Sequence, residues 1–193
     1  MFIDEPEPDE RSDKMFVGDE KYMGWVLNSS RLWAWQPESL EGLSELIGRV
    51  SEGLTPRERG VVAAACAATI ADSYCALAWA GKLARDSDTA TAVGVLEGSD
   101  DGLSERERAM ANWARAVCRE PNATTQDDVD SLRAAGIDDA TIFAVTAFVG
   151  LRIAFSTVND ALGTLPDAEL RGFAPSEVLD AVDYGRPIAE ETP

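Results

Sequence analysis

Residues 54–79 read LTPRERGVVAAACAATIADSYCALAW, which is two helices written back to back. Thr55-Pro56-Arg57-Glu58 is a capping box: the Thr hydroxyl and the Glu carboxylate each satisfy a backbone N–H that a helix start leaves free. Pro56 sits in the first turn, where its missing N–H costs nothing. Val61 to Ala71 is almost entirely small and apolar, which predicts a helix buried on most sides. Asp72 then restarts a helix predicted to run to about Arg85. Its carboxylate is placed to accept backbone N–H groups and to face the positive end of the helix dipole.

The same start signal returns at Ser104-Glu105-Arg106-Glu107, again preceded by Leu (Leu103) and followed by Arg (Arg108). The interval of roughly 50 residues is a weak internal repeat, which predicts two related helical halves packed together. Leu40, Leu43, Leu46, Ile47 and Val50 follow Pro37 at helical spacing. A short helix is expected near Ala90–Leu96 and an acidic loop at Gly98–Gly102. Val129, Leu132 and Ala135 mark a helix ending at Gly136. Asp138 caps the longest helix, which carries Ile142, Val145, Phe148, Val149, Ile153 and Val158. Another short helix begins near Pro175-Ser176-Glu177. No segment alternates apolar and polar residues, so the fold class is all-α. Residues 1–20, acidic and with two prolines, read as a mobile arm ahead of a single helical domain at 21–193.

Composition narrows the chemistry. The chain has 35 acidic and 17 basic residues, a net charge of −18. Such a surface repels phosphate backbones and anionic membranes, so neither nucleic acid nor a membrane is expected as a partner. Arg and Asp interrupt every uninterrupted apolar run before it reaches bilayer length. The acidic N-terminus lacks the basic and apolar regions of a signal peptide, so a cytoplasmic location is expected. Three widely spaced cysteines, Cys66, Cys75 and Cys118, do not make a disulfide framework. Histidine is absent, which removes the commonest general base and transition-metal ligand. No metal site and no cofactor is expected.

Several stretches together resemble the AhpD-like / carboxymuconolactone decarboxylase family, closest to its peroxidase-related branch. They are Gly24-Trp25-Val26-Leu27-Asn28 with Pro37-Glu38, Leu54 to Arg59, Tyr74-Cys75, Leu132 to Ile137, and Val158-Asn159. The resemblance implies an all-helical, AhpD-like bundle that assembles as a homo-oligomer, a trimer or hexamer, with the site near a subunit contact. Peroxidases of this family carry Cys-x-x-Cys-x-x-x-His at the start of a helix and a Glu upstream. On that pattern the first Cys falls on Asp72, the second on Cys75, the His on Trp79 and the Glu on Gly60. The usual relay is therefore not intact.

Asp72 and Cys75 are the candidate catalytic residues, and Gly60, Tyr74, Trp79, Arg152 and Asn159 the candidate pocket lining. Asp72 is either a helix cap or a general acid/base. Trp79 either fills space or walls a ligand pocket. Arg152, amid apolar neighbours, needs a carboxylate, for which Asp72 and Asp160 are the candidates; the alternative is an anion-binding role. Cys66 and Cys118 read as inert core thiols. Trp25, Trp33 and Trp35 read as an inter-subunit packing surface. Three functions follow: a non-redox small-molecule-binding or scaffold protein, a repurposed decarboxylase or isomerase using Asp72 and Arg152, or a one-cysteine alkylhydroperoxidase using Cys75.

Overall fold

The computed structural model describes residues 1–190. Among these, eleven α-helices and no strand are present: α1 (Glu10–Tyr22), α2 (Asn28–Trp33), α3 (Pro37–Val50), α4 (Pro56–Thr69), α5 (Ser73–Asp86), α6 (Thr89–Glu97), α7 (Glu105–Arg119), α8 (Gln126–Ala134), α9 (Asp139–Ala161), α10 (Leu170–Phe173) and α11 (Ser176–Ala181).

The centre of the molecule is α4. Val61, Val62, Ala64 and Ala65 are fully buried, because α4 is covered by α5, α7, α6 and α9. Alanine-rich faces leave little side chain between helices, so the neighbours approach closely, and each buried valine contributes about 1.5–3 kcal/mol. The all-α reading from residues 54–79 holds. Both capping boxes form, with Thr55 accepting from Glu58 N–H and Ser104 from Glu107 N–H.

The internal repeat has a structural counterpart. Arg57 Nε donates to Glu107 Oε1 at 2.6 Å, and Arg106 Nε donates to Glu58 Oε1 at 2.8 Å. Equivalent residues of the two boxes thus exchange reciprocal ion pairs that tie the N-terminal ends of α4 and α7 together. Burial pushes both glutamates up, but the arginine and cap donors outweigh it and hold both below the usual carboxylate range.

The chain between α4 and α5 turns sharply. Ala71 takes φ +57°, a left-handed conformation that a residue with Cβ enters at a cost. The turn is held by Asp72 N–H donating to Ala67 O at 2.9 Å. A later segment lies across it: Gly185 approaches so closely that a Cβ there would sit 2.6 Å from Ala71 O. Ser73 Oγ donates to Arg186 O at 2.8 Å and accepts from Arg186 N–H at 2.9 Å.

Three expectations need correction. Ordered structure does not start near Lys21, because α1 begins at Glu10, capped by Asp9 and Ser12 in a reciprocal box. That box lay outside the apolar periodicity used to find helices. The tryptophan segment is not a shared outward surface. Trp33 stacks on Phe155 and Trp25 packs edge-on against Phe173, while Trp35 alone is 53% exposed. Finally, α9 is long and apolar enough by length and composition to cross a membrane, which the count of uninterrupted runs did not show. Here its Phe148 and Val149 enter the core.

Candidate functional site

Asp72, at the α5 N-terminus, is fully buried. One carboxylate oxygen, Oδ1, accepts from Cys75 N–H at 2.9 Å, so the cap predicted from sequence is present. The other, Oδ2, has no hydrogen-bond partner in the protein. Cys75 follows within the first turn of α5, its sulfur directed at α9. Arg152 Nη2 donates to Cys75 Sγ at 3.0 Å, and Ser156 Oγ lies 3.7 Å from the same sulfur. Burial pushes the Cys75 thiol up to about 12; Arg152 opposes this, and the Asp72 charge and its acceptor oxygen add to the rise.

Arg152 differs from its expectation. It is only 9% exposed, yet it forms no ion pair with Asp72, Asp160 or any other described carboxylate within 4 Å. Its guanidinium rests instead on the Cys75 sulfur and two ring faces, 5.3 Å from the Trp79 centroid and 5.0 Å from that of Phe155. The sulfur stands where an ion pair was expected, because Cys75 is held between Asp72 and Arg152. Lys82, one turn beyond Trp79 on α5 and exposed, lies 5.7 Å from the Trp79 ring on which Arg152 also rests. Two cations therefore flank one indole in an otherwise acidic chain.

Asp160 faces neither cation within ion-pair distance. Burial, with the nearby Asp72 charge adding and Arg186 opposing, raises its carboxyl to about 6. Asn159 Oδ1 accepts from Trp33 Nε1 at 3.0 Å, and its buried Nδ2 makes no hydrogen bond in the protein.

Two expected pocket residues sit elsewhere. Tyr74 points away from Cys75: its hydroxyl donates to Asp167 Oδ2 at 2.8 Å and lies 3.1 Å from Ser29 Oγ. Burial raises this phenol well above its ordinary range. Gly60 faces Leu83, whose Cδ1 would lie 3.5 Å from an added Cβ. Leu83 is eight residues beyond Cys75, about 12 Å along α5.

Sequence reading missed four participants. Phe155 and Ser156 fall three and four residues after Arg152 and so share its helix face, a signal that spacing carried. Trp33 had no such signal, and neither did Tyr184. The Tyr184 hydroxyl is buried without a partner, and burial and the Asp72 charge raise it above its ordinary range. Tyr184 also lines an open cleft of about 460 Å³, with Ser73, Leu77, Leu179, Val182 and Arg186, over the α5 N-terminus.

Eleven helices with the buried, alanine-rich α4 at their centre make an AhpD-like fold. No family model and no curated protein matches the sequence. Among solved structures, the chain is similar to a peroxidase-related protein from Silicibacter sp. TM1040 (TM-score 0.80, 22% identity, 89% of this chain and 94% of that one). It is also similar to an alkylhydroperoxidase AhpD core, peroxidase-related protein from Ralstonia eutropha JMP134 (TM-score 0.77, 22% identity, 88% and 93%). A third is a cysteine-to-alanine variant of the debrominase Bmp8 in complex with 2,3,4-tribromopyrrole (TM-score 0.72, 17% identity, 93% and 100%). At these identities the likeness establishes the fold.

Proposed function

We propose that this chain binds a small planar anion, of the aromatic carboxylate class, against Arg152, Trp79 and Phe155, and that Cys75 carries out no thiol turnover. The observation that carries the reading is Arg152: a nearly buried guanidinium with two aromatic faces and no carboxylate partner. A buried cation without a counter-charge is costly, and a bound anion offsets that cost. Exposed Lys82 supplies a second positive charge against the same Trp79 ring. The similarly folded debrominase Bmp8, in complex with 2,3,4-tribromopyrrole, supports the choice of a planar ring as ligand.

Cys75 argues against peroxide chemistry at this position. Burial pushes its thiol up to about 12, which keeps it protonated near neutral pH, and the thiolate is the nucleophile. The free Oδ2 of Asp72 favours a second reading, in which Asp72 moves a proton on the bound anion in non-redox decarboxylation or isomerisation.

Benzoate is the direct probe. Calorimetric titration should give saturable binding, weakened tenfold or more by Arg152→Gln and several-fold by Lys82→Gln, with Cys75→Ser close to wild type. Because Lys82 is exposed, that variant tests the site even if Arg152→Gln folds poorly. No binding at millimolar benzoate, or equal binding by wild type and both charge variants, overturns the proposal.

A further inference from the structure

Cys66 on α4 and Cys118 on α7 are 52 residues apart in sequence, yet their sulfurs lie 3.3 Å apart. Both are free thiols. We propose that they form a two-cysteine redox site at the α4–α7 crossing, distinct from the Asp72–Cys75 turn, which takes a small hydroperoxide as oxidant and closes to a disulfide.

The geometry rests on two packed helices, α4 and α7. Their N-terminal ends are tied by the reciprocal Arg57–Glu107 and Arg106–Glu58 pairs, and both cysteines lie on the helices themselves, toward the other ends, so the approach of the thiols does not depend on a loop. Bond formation asks the sulfurs to close by about 1.2 Å, a distance within reach of side-chain rotation. The two thiols are also unequal in access. Cys66 is 1% exposed, whereas Cys118 is partly open to solvent. An incoming peroxide therefore meets Cys118 first, with Cys66 behind it.

Protonation points the same way. The hydrogen bond with Cys66 lowers the Cys118 thiol, burial partly opposes this, and the neighbouring Arg119 charge assists. That same contact and burial push Cys66 up, so of the two the more open Cys118 is the thiol that ionises first. The carbonyl end of α7 opposes a thiolate at Cys118, but a helix terminus is a weaker influence than a direct hydrogen bond to a charged group.

The chemistry balances as follows. The Cys118 thiolate attacks the hydroperoxide: an S–O bond forms, the O–O bond breaks, and the alkoxide leaves and is protonated by water to the alcohol. Cys118 is oxidised by two electrons to the sulfenic acid and the peroxide is reduced. The Cys66 sulfur then attacks Cys118, the S–S bond forms, and hydroxide leaves with the Cys66 proton as water. An external dithiol returns the pair to the reduced state by exchange.

The test is peptide mapping of the full chain after one equivalent of hydrogen peroxide, with free thiols blocked by an alkylating reagent before digestion. The expected product is the Cys66–Cys118 cross-linked peptide, forming at least tenfold faster in native than in urea-unfolded protein, with Cys75 recovered as free thiol. Cys66→Ser should replace the cross-link by a sulfenic acid at Cys118 that a dimedone probe captures. Cys118→Ser, at the more exposed position, should abolish both products and keep the native helical spectrum. Cross-linking at equal rates in folded and unfolded chain overturns the proposal. So does a dominant Cys66–Cys75 or Cys75–Cys118 bridge, or over-oxidation of Cys118 without a cross-link.

Discussion

Replacing Asp72 by Asn isolates what its charge does. Asn keeps an oxygen to accept the Cys75 N–H now held at 2.9 Å by Oδ1, so the helix cap survives. What disappears is a buried negative charge close to the thiol that disfavours its ionisation. A like charge this close to an ionisable group is worth roughly 1.5–3 kcal/mol. At about 1.36 kcal/mol per unit, the Cys75 thiol should fall by about one to two units from its position near 12. In a background lacking Cys66 and Cys118 by substitution to Ser, alkylation of Cys75 at pH 8 should therefore be about 10- to 100-fold faster in Asp72→Asn. Denaturant curves for both proteins correct for any change in opening. Asp72→Ala, which also removes the cap, should lose a further ~1 kcal/mol of stability. A corrected rate within twofold of wild type, or a slower one, would refute the electrostatic account of this pocket and leave Asp72 as a cap alone.

Asp160 offers a pH test of known sign. Its folded carboxyl is raised to about 6 from an ordinary 3.8, so the native state binds the extra proton and this group's destabilising effect grows as pH climbs between those values. Asp160→Asn should raise stability at pH 7 by about 1 kcal/mol, after discounting for its partial exposure, and flatten the denaturant midpoint between pH 4 and 6; an unchanged slope would contradict it. Two buried glycines should separate on chemical denaturation. Gly60→Ala meets Leu83 at an ordinary 3.5 Å and should gain up to about 1 kcal/mol from helix propensity. Gly81→Ala would place its Cβ 2.9 Å from the Phe173 ring and should lose about 1–3 kcal/mol; equal effects at the two sites would count against this packing.

Much of the framework was legible in the chain because its signals are local. A capping box acts over four residues and an apolar face over two turns, so α4, α5, α7 and α9 could be read from Thr55, Asp72, Ser104 and Asp138. Even the pairing of the two halves left a trace, the repeated Leu-box-Arg pattern whose arginines and glutamates exchange partners across the core. α1 escaped because its signal, the Asp9–Ser12 cap, precedes a helix with little apolar periodicity.

The site was legible in its list of residues and not in its pairings. Sequence alone placed Asp72 at a helix start and Cys75 a turn later, since backbone spacing dictates both. It also marked Arg152 as a cation on an apolar helix. Only tertiary packing decided that Arg152 meets a sulfur and two rings in place of a carboxylate, and that Tyr74, next to Cys75 in the chain, looks toward Asp167. Adjacent helical residues point about 100° apart, so neighbours in sequence serve different faces. By the same reasoning Cys66 faces Cys118, 52 residues away, and not Cys75, nine residues on. Side-chain partners are chosen by which helix faces meet, and that choice is made by burying α4 against α5, α7 and α9 at once.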